Sequence, residues 1–217
     1  MFIRNYAAMI IDRFLIISDL HLGITKEFQK SGIFIPSQAK PMSDRINRLK
    51  RMTKTKELII LGDVKHNIPG VSGQEFGEIP EFFSKLKFNK ITIIKGNHDG
   101  NIEKMIPKGI KVRKYVKIGK YFLTHGHMKM ENEKMIIGHS HPFIRIKDNL
   151  GAVYFEPVWL HYLDRKEIII MPAFNELCGA TIINQDDLLG PIAKNLEKNK
   201  IHVYLLDGTY LGIAKEL

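Results

Sequence analysis

The sequence predicts an α/β fold in which two packed mixed β-sheets are flanked by helices. In the first half, short β-branched runs bounded by Gly, Asn and Asp alternate with segments of helical spacing, which is typical of a parallel α/β sheet. After residue 99 most apolar segments have the length of strands, which favours antiparallel pairing in a second sheet. With 217 residues, 44% of them hydrophobic, we expect one domain over residues 1–217.

Periodicity and turn residues place the elements of the first half. Asp12 separates two apolar runs that predict a hairpin, and Met42, Ile46 and Leu49 repeat later with helical spacing. Pro80 predicts the start of a shorter helix. The expected order is hairpin strands at 6–11 and 13–18, a loop over 23–36, a helix over 36–56, a strand at 58–61, a helix over 80–87 and a strand at 91–94.

The second half is predicted to consist mainly of strands. Gly119 marks a hairpin between residues 111–117 and 121–124, and Asp207 with Gly208 forms a typical hairpin turn. The remaining strands are expected at 135–137, 143–147, 158–162, 167–171, 201–206 and 210–213.

The formal net charge of +10 is the unusual bulk property of this chain. Lys and Arg attract polyanions such as nucleic acid, but a lysine-rich surface facing water gives the same total, so both interpretations stay open. Cys178 is the single cysteine, which excludes an internal disulfide framework and indicates a reducing cytoplasm. No apolar run approaches the roughly 20 residues that span a bilayer, so we expect neither a membrane segment nor a signal peptide.

Side chains that can bind metals follow five of the predicted strands directly. Asp19 and His21 are two residues apart, so both point to the same side of an extended strand end. Because ligands bind beyond the carboxyl ends of strands in open α/β sheets, these side chains should meet in one crevice. The candidate ligands are Asp19, His21, Asp63, Asn97, His125, His139 and His141.

A structural interpretation competes with this one. A single histidine in an apolar run is more often hydrogen-bonded to the backbone than bound to a metal. Histidines that recur beyond successive strand ends, each close to Gly, Asp or Asn, favour a shared metal site instead. Carboxylate, amide and imidazole donors in this number exceed one tetrahedral zinc and suit two ions of intermediate hardness, such as manganese, iron or zinc.

The motifs that carry these donors occur in a fixed order. They are Asp19-Leu20-His21, Gly62-Asp63, Gly96-Asn97-His98-Asp99, Thr124-His125-Gly126-His127 and Gly138-His139-Ser140-His141. This ordered set resembles the calcineurin-like metallophosphoesterases, which implies a four-layer αββα sandwich. Two further segments are similar to the small SbcD-related archaeal phosphoesterases and the DNA-ligase-associated group, namely Gly62-Asp63-Val64-Lys65-His66 and Met171-Pro172-Ala173-Phe174-Asn175.

The resemblance also implies a role for each motif residue. One metal would be held by Asp19, His21 and His141, and the second by Asn97, His125 and His139, with Asp63 bridging the two. His98 would face the scissile phosphate and Asp99 would orient the His98 ring. The implied cofactor is a pair of divalent ions, first of all Mn²⁺, with iron, zinc or nickel as alternatives.

The leading functional hypothesis is therefore a phosphodiesterase that acts on nucleic acid, DNA or RNA, or on nucleotide derivatives. A metal-bridging hydroxide would attack the phosphorus in line with the leaving oxygen. The alternatives are a small-molecule phosphodiesterase or phosphatase, and a non-catalytic scaffold in a DNA-repair complex. A homodimer is the expected assembly. Hydrogen-bonding roles are favoured for His66 and His127, and Asn175 is either at the site rim or a turn residue.

Overall fold

Two mixed β-sheets face each other in the computed structural model, which describes residues 1–217. In the first sheet, the initial strand is antiparallel to its neighbour and the other strands are all parallel, in sequence order. Its members are β1 (Ala8–Ile11), β2 (Phe14–Ser18), β3 (Glu57–Leu61), β4 (Lys90–Ile94) and β5 (Lys111–Arg113). The hairpin across Asp12 and the parallel first half are therefore confirmed.

Three α-helices connect these strands, and two of them differ from the prediction. They are α1 (Thr25–Lys30), α2 (Ala39–Thr53) and α3 (Gly73–Lys85). Helix α1 lies in the segment predicted as a loop, because six residues are too few to produce a periodic pattern. Helix α3 begins before Pro80, since Ser72 and Glu75 form a capping box that starts the helix there. Pro80 lies inside the helix, where its missing N–H removes one backbone hydrogen bond.

The second sheet is mixed rather than purely antiparallel. Its strands are β6 (Val116–Ile118), β7 (Tyr121–Leu123), β8 (Lys134–Ile137), β9 (Pro142–Lys147), β10 (Val153–Leu163), β11 (Glu167–Ile170), β12 (Thr181–Ile182), β13 (Ile201–Leu205) and β14 (Tyr210–Ile213). Strand β8 runs parallel to both β7 and β11. The predicted hairpin strand at 111–117 is split, because β5 joins the first sheet and only β6 pairs with β7.

Alternate residues of the central strands are buried on opposite faces of each sheet. In β2, Leu15 and Ile17 pack towards the helices while Ile16 joins a core between the two sheets. In β10, Leu160 packs on the outer face and Trp159 joins the same inter-sheet core. This alternation follows from the two-residue period of a strand and explains why the strands read as continuous apolar runs.

The two outer layers of the sandwich differ in helix content. Helices α2 and α3 cover the first sheet, and Asn47 joins them through a 2.8 Å hydrogen bond from its side-chain N–H to the Lys85 carbonyl. The second sheet is covered by an irregular segment around Leu188, Ile192 and Ala193 that includes two short 3₁₀ helices. The predicted fold class is confirmed, with little regular helix in this fourth layer. None of the helices is both long and apolar enough to cross a membrane.

Replacing Trp159 tests the inter-sheet core. Trp159 is completely buried and stacks on Phe2 with ring centroids 4.3 Å apart, while its indole N–H has no hydrogen-bond partner. We expect Trp159→Ala to lower the free energy of unfolding by about 3–5 kcal/mol and Trp159→Phe by roughly half of that. Because Trp159 is the only tryptophan, unfolding should be followed by circular dichroism. An unchanged stability of Trp159→Ala would contradict the assigned core.

Candidate metal centre

Strands of both sheets end at the same cleft. The backbone N–H of His21, beyond β2, donates to the Asp63 carbonyl beyond β3 at 2.8 Å. In the second sheet, the Gly138 N–H beyond β8 donates to the His125 carbonyl beyond β7 at 3.0 Å. Phe174 links the sheets, since its N–H donates to the Ser18 carbonyl at 2.8 Å. The chain segments that carry the candidate ligands are therefore fixed to one another by backbone hydrogen bonds.

Left-handed backbone conformations mark the ends of these strands. Nine non-glycine residues have a positive φ, and five of the nine are candidate ligands. They are Asp19, His21, Asp63, His139 and His141, with φ values between 41° and 71°. Such conformations cost of order 1–3 kcal/mol each and cluster at functional sites. Here they turn the chain sharply where each strand ends.

Two glycines leave room for the carboxylates. A side chain at Gly96 would overlap the Asp63 carboxylate and backbone nitrogen. A side chain at Gly138 would overlap Ser18 and the Asp19 carboxylate. Glycine is therefore required at both positions for the close approach of the chain to the carboxylates.

Two buried carboxylates lie at the centre of the histidine cluster. The Asp19 Oδ1 atom is 2.9 Å from His125 Nε2 and 3.3 Å from His141 Nε2. The Asp63 Oδ2 atom is 3.5 Å from His125 Nε2 and 3.7 Å from His21 Nε2. His139 adds a backbone N–H that donates to Asp19 Oδ2 at 3.1 Å. The structure thus brings together six of the seven candidate ligands, all except Asn97.

Potential ligand atoms in this cluster are close enough to share a cation. Atoms of Asp19, His21 and Asp63 lie within 4.8 Å of one another, and so do atoms of Asp63, His125 and His139. The Nε2 atoms of His21 and His141 are buried without a hydrogen-bond partner, although each faces a carboxylate. Unpartnered nitrogens and buried carboxylates are costly unless a further group satisfies them. The residues present therefore fit divalent cations.

Neighbouring histidines hold two of the candidate ligand rings in place. The Nδ1 atoms of His66 and His21 are 3.2 Å apart, and those of His127 and His125 are 3.0 Å apart. Both contacts occupy Nδ1, so Nε2 of His21 and His125 is left to face the carboxylates. His66 is itself held by Glu27, whose carboxylate lies 3.0 Å from His66 Nε2. These are hydrogen-bonding roles of the kind that tune a metal site.

The acidities of the cluster differ between the two carboxylates. Burial disfavours ionisation of Asp19, but the His141 and His125 rings hold its pKa well below the usual value. At Asp63 burial dominates and raises the pKa to about 7. Burial would lower the pKa of His125, but its hydrogen bond to Asp19 raises it above the ordinary value. Burial also lowers the pKa of His21 well below its ordinary value. Without a cation, the centre therefore retains protons near neutral pH.

His98 lies at the mouth of the cleft. Its backbone N–H donates to Asp63 Oδ1 at 2.9 Å, and its Nε2 is 3.9 Å from Asp63 Oδ2. Its Nδ1 is hydrogen-bonded to the His66 carbonyl, which fixes the ring. Burial lowers the pKa of His98. His98 lines a cavity of about 320 Å³ together with His21, His66, His141 and Cys178.

The carboxylate of Asp99 is hydrogen-bonded to the backbone. It forms no hydrogen bond with the His98 ring and accepts backbone N–H groups of Val64 at 2.8 Å, Lys65 at 3.3 Å and Gly96 at 2.8 Å. It therefore ties the loop after β3 to the loop after β4. Adjacency in the chain does not reveal which way a buried carboxylate turns, and orientation of the His98 ring by Asp99 stays a prediction.

Asn97 is the one candidate ligand that takes no part in these contacts. It directly follows Gly96 but is exposed and forms no hydrogen bond. Its place in the ligand set therefore remains a prediction.

Two residues of the loop after β11 support the centre. Asn175 is buried, and its side-chain N–H donates to the Leu20 carbonyl at 2.8 Å while its Oδ1 accepts the Leu177 N–H at 3.0 Å. It thus braces the chain between Asp19 and His21. From the sequence, Cys178 indicates only a reducing compartment. In the structure, its Sγ lies within 4.8 Å of ring nitrogens of His21 and His141. No local pattern connects residues so distant in sequence, so only the fold reveals these two contacts.

Comparison with known proteins decides the family. The sequence profile of the calcineurin-like phosphoesterases matches residues 12–171. The chain belongs to this family. As a calcineurin-like phosphoesterase it is a metal-dependent enzyme, and the Asp and His cluster is compatible with divalent ions. No curated protein matches the sequence.

One solved structure supports the same fold, and two others are similar over most of the chain at lower scores. The nuclease MPE of Pseudomonas putida superposes with a TM-score of 0.60 at 21% identity, over 93% of this chain and 87% of that protein. The phosphoesterase Yfce from E. coli gives a TM-score of 0.39 at 16% identity, over 92% and 96% of the two chains. An archaeal phosphodiesterase gives 0.38 at 17% identity, over 92% and 98%. At these identities the likeness to MPE extends to the fold alone, and the other two superpositions are weaker.

Metal affinity should rise with pH. Asp63 must lose its proton to bind a cation, and its pKa is raised to about 7 in the metal-free centre. Below that pKa, each displaced proton weakens binding by about tenfold per pH unit. We expect calorimetric titration with Mn²⁺ to show tighter binding at pH 8 than at pH 6, with protons released. Equal affinity at both pH values and no proton release would contradict the buried Asp63 environment.

Proposed function

We propose that this phosphoesterase hydrolyses phosphodiester bonds with two divalent ions. Asp19, His21 and His141 would hold one ion, and Asn97, His125 and His139 the other, with Asp63 between them. The observation that carries the proposal is that one oxygen, Asp63 Oδ2, faces His125 Nε2 at 3.5 Å and His21 Nε2 at 3.7 Å, one histidine from each set. On metal binding, His125 and Asp19 would lose their mutual hydrogen bond and each would coordinate an ion instead.

The ions would supply the hydrolytic chemistry. Two divalent cations about 3.5–4 Å apart lower the pKa of water and clamp the attacking and leaving oxygens of an in-line displacement. The mixed oxygen and nitrogen donors suit Mn²⁺ first, with iron, zinc or nickel as alternatives. Asp63 and Asp19 would position the ions. His21 and His125 would donate hydrogen bonds from Nδ1 to His66 and His127, which would keep their Nε2 atoms directed at the ions.

His98 would act on the substrate. His98 lines the cavity at the mouth of the centre, and its Nδ1 is anchored by the His66 carbonyl. From this position it can donate a proton to the leaving alkoxide or stabilise charge on the phosphoryl oxygens. Asp99 would contribute indirectly, by holding the Gly96 turn that precedes His98.

The substrate class is proposed from charge and cavity size. The net charge of +10 favours polyanionic substrates such as DNA or RNA, and a cavity of about 320 Å³ accommodates a phosphodiester with a neighbouring group. A small-molecule phosphodiester is the second candidate, because neither Lys nor Arg is among the residues that line this cavity. A nuclease should cleave a long oligonucleotide faster than a dinucleotide and should lose that preference at high salt. Equal rates at low salt would favour the small substrate.

Metal dependence tests the proposed chemistry. We expect metal-stripped protein to hydrolyse bis-p-nitrophenyl phosphate after addition of Mn²⁺, and Asp63→Asn to abolish this activity by at least about 100-fold. His202→Ala is the matched control, since this histidine lies on β13 and contacts Tyr210 on β14. Protein that binds two ions per chain but hydrolyses no phosphodiester would contradict the proposed function.

His98→Ala separates substrate chemistry from metal binding. The variant should retain both ions and lose turnover on unactivated diesters by about 10²–10⁴-fold, because an alkoxide leaving group needs a proton. The loss should be smaller with p-nitrophenolate, which leaves without one. Metal content and kcat for a dinucleotide and for bis-p-nitrophenyl phosphate provide the measurement. Equal losses on the two substrates would exclude proton donation by His98.

A further inference from the structure

The thiol of Cys178 lies beside one of the proposed metal positions. Its Sγ and ring nitrogens of His21 and His141 all lie within 4.8 Å of one another. Cys178 is buried, and its Sγ is 3.9 Å from the carbonyl oxygen of Asp19. Asn175 fixes this part of the loop against the Leu20 backbone, so the thiol is held in place rather than carried on a free loop.

A second observation at this position points to a bound cation. His21 is buried, with only 5% of its side chain exposed, yet its Nε2 has no hydrogen-bond partner. Its Nδ1 faces His66, so Nε2 is the nitrogen left for coordination. His141 is arranged in the same way, because its Nδ1 is hydrogen-bonded to the Gly179 carbonyl at 3.0 Å and its Nε2 has no partner. Two oriented imidazoles and a buried thiol surround this position.

We propose that Cys178 is an additional ligand, as a thiolate, of the ion held by Asp19, His21 and His141. This inference rests on the two-ion centre of the proposed function. On binding, the S–H bond of Cys178 breaks, its proton leaves to solvent, and a sulfur lone pair forms the bond to the divalent ion. No electron is transferred and no other reactant is needed.

A sulfur ligand makes the two metal positions chemically unequal. Thiolates select zinc or iron, whereas carboxylate and amide oxygens suit manganese. The position of Asn97, His125 and His139 has no thiolate ligand, because the chain contains a single cysteine. The position beside Cys178 should therefore take Zn²⁺ or Fe²⁺ in preference to Mn²⁺, while the other keeps its affinity for Mn²⁺.

Cobalt substitution tests this ligand directly. Metal-stripped wild-type protein is titrated with Co²⁺, whose visible absorption reports binding and whose near-ultraviolet sulfur-to-cobalt charge-transfer band reports a thiolate. Since Cys178 is the only cysteine, it is the only source of such a band. We expect the band in wild type, and we expect Cys178→Ser to lose it while its visible bands remain.

The outcomes separate this inference from the function on which it rests. Two bound Co²⁺ ions without a charge-transfer band in wild type would overturn the thiolate ligand and leave the two-ion centre intact. Failure of wild type to bind Co²⁺ would overturn both. The wild-type spectrum is decisive even if the variant does not fold.

Competition between zinc and manganese provides a second readout. With both ions supplied, wild type should retain one Zn²⁺ per chain, and Cys178→Ser should lose its preference for zinc by about 10–100-fold. His202→Ala serves as the control, because this residue lies away from the centre. An unchanged ratio of zinc to manganese in Cys178→Ser would contradict the proposal.

Discussion

The metal centre depends on one constraint: two carboxylates are buried with too few positively charged protein groups to neutralise them. Asp19 and Asp63 are at most 1% exposed, and the charges that reach them come from imidazoles. Lys65, which belongs to the same motif as Asp63, directs its ammonium to the carbonyls of Asn67 and Gly70 instead. Isolated buried charges cost several kcal/mol each. The raised pKa of Asp63, about 7, reflects this deficit, which divalent ions would remove.

The two-sheet sandwich stabilises the left-handed backbone conformations at the ends of these strands. Each sheet buries both faces, so the strand ends are fixed, and buried polar groups then lock the left-handed turns that follow. Asp99 accepts three backbone N–H groups, and Asn175 braces the Leu20 carbonyl. Glu75 is likewise buried and accepts the N–H groups of His66 and Asn67 at 2.9 and 2.6 Å. Preorganisation of this kind keeps ligands in place before a cation binds, which lowers the cost of binding.

The sequence predicts the strands, and the clustering of Asp and His side chains at their ends, because both depend on local pattern. A β-branched run followed by Asp or His indicates both a strand and the residue at which it ends. The sequence alone therefore places Asp19, His21, Asp63 and the histidines beyond β7 and β8 at strand ends. Contacts between distant segments leave no such pattern. The orientation of Asp99, the parallel pairing of β8 with β11 and the place of Cys178 beside His21 all depend on how the two sheets dock. Helix α1 was missed because it is too short for a periodic pattern.

In the proposed metal centre, Asp63 lies between two ions. Anomalous scattering from a crystal of the Mn²⁺-loaded protein tests it most directly. We expect two manganese peaks about 3.5–4 Å apart on either side of the Asp63 carboxylate. One ion would be in contact with His21 and the other with His125. A single peak, or two peaks that do not share Asp63, would contradict it.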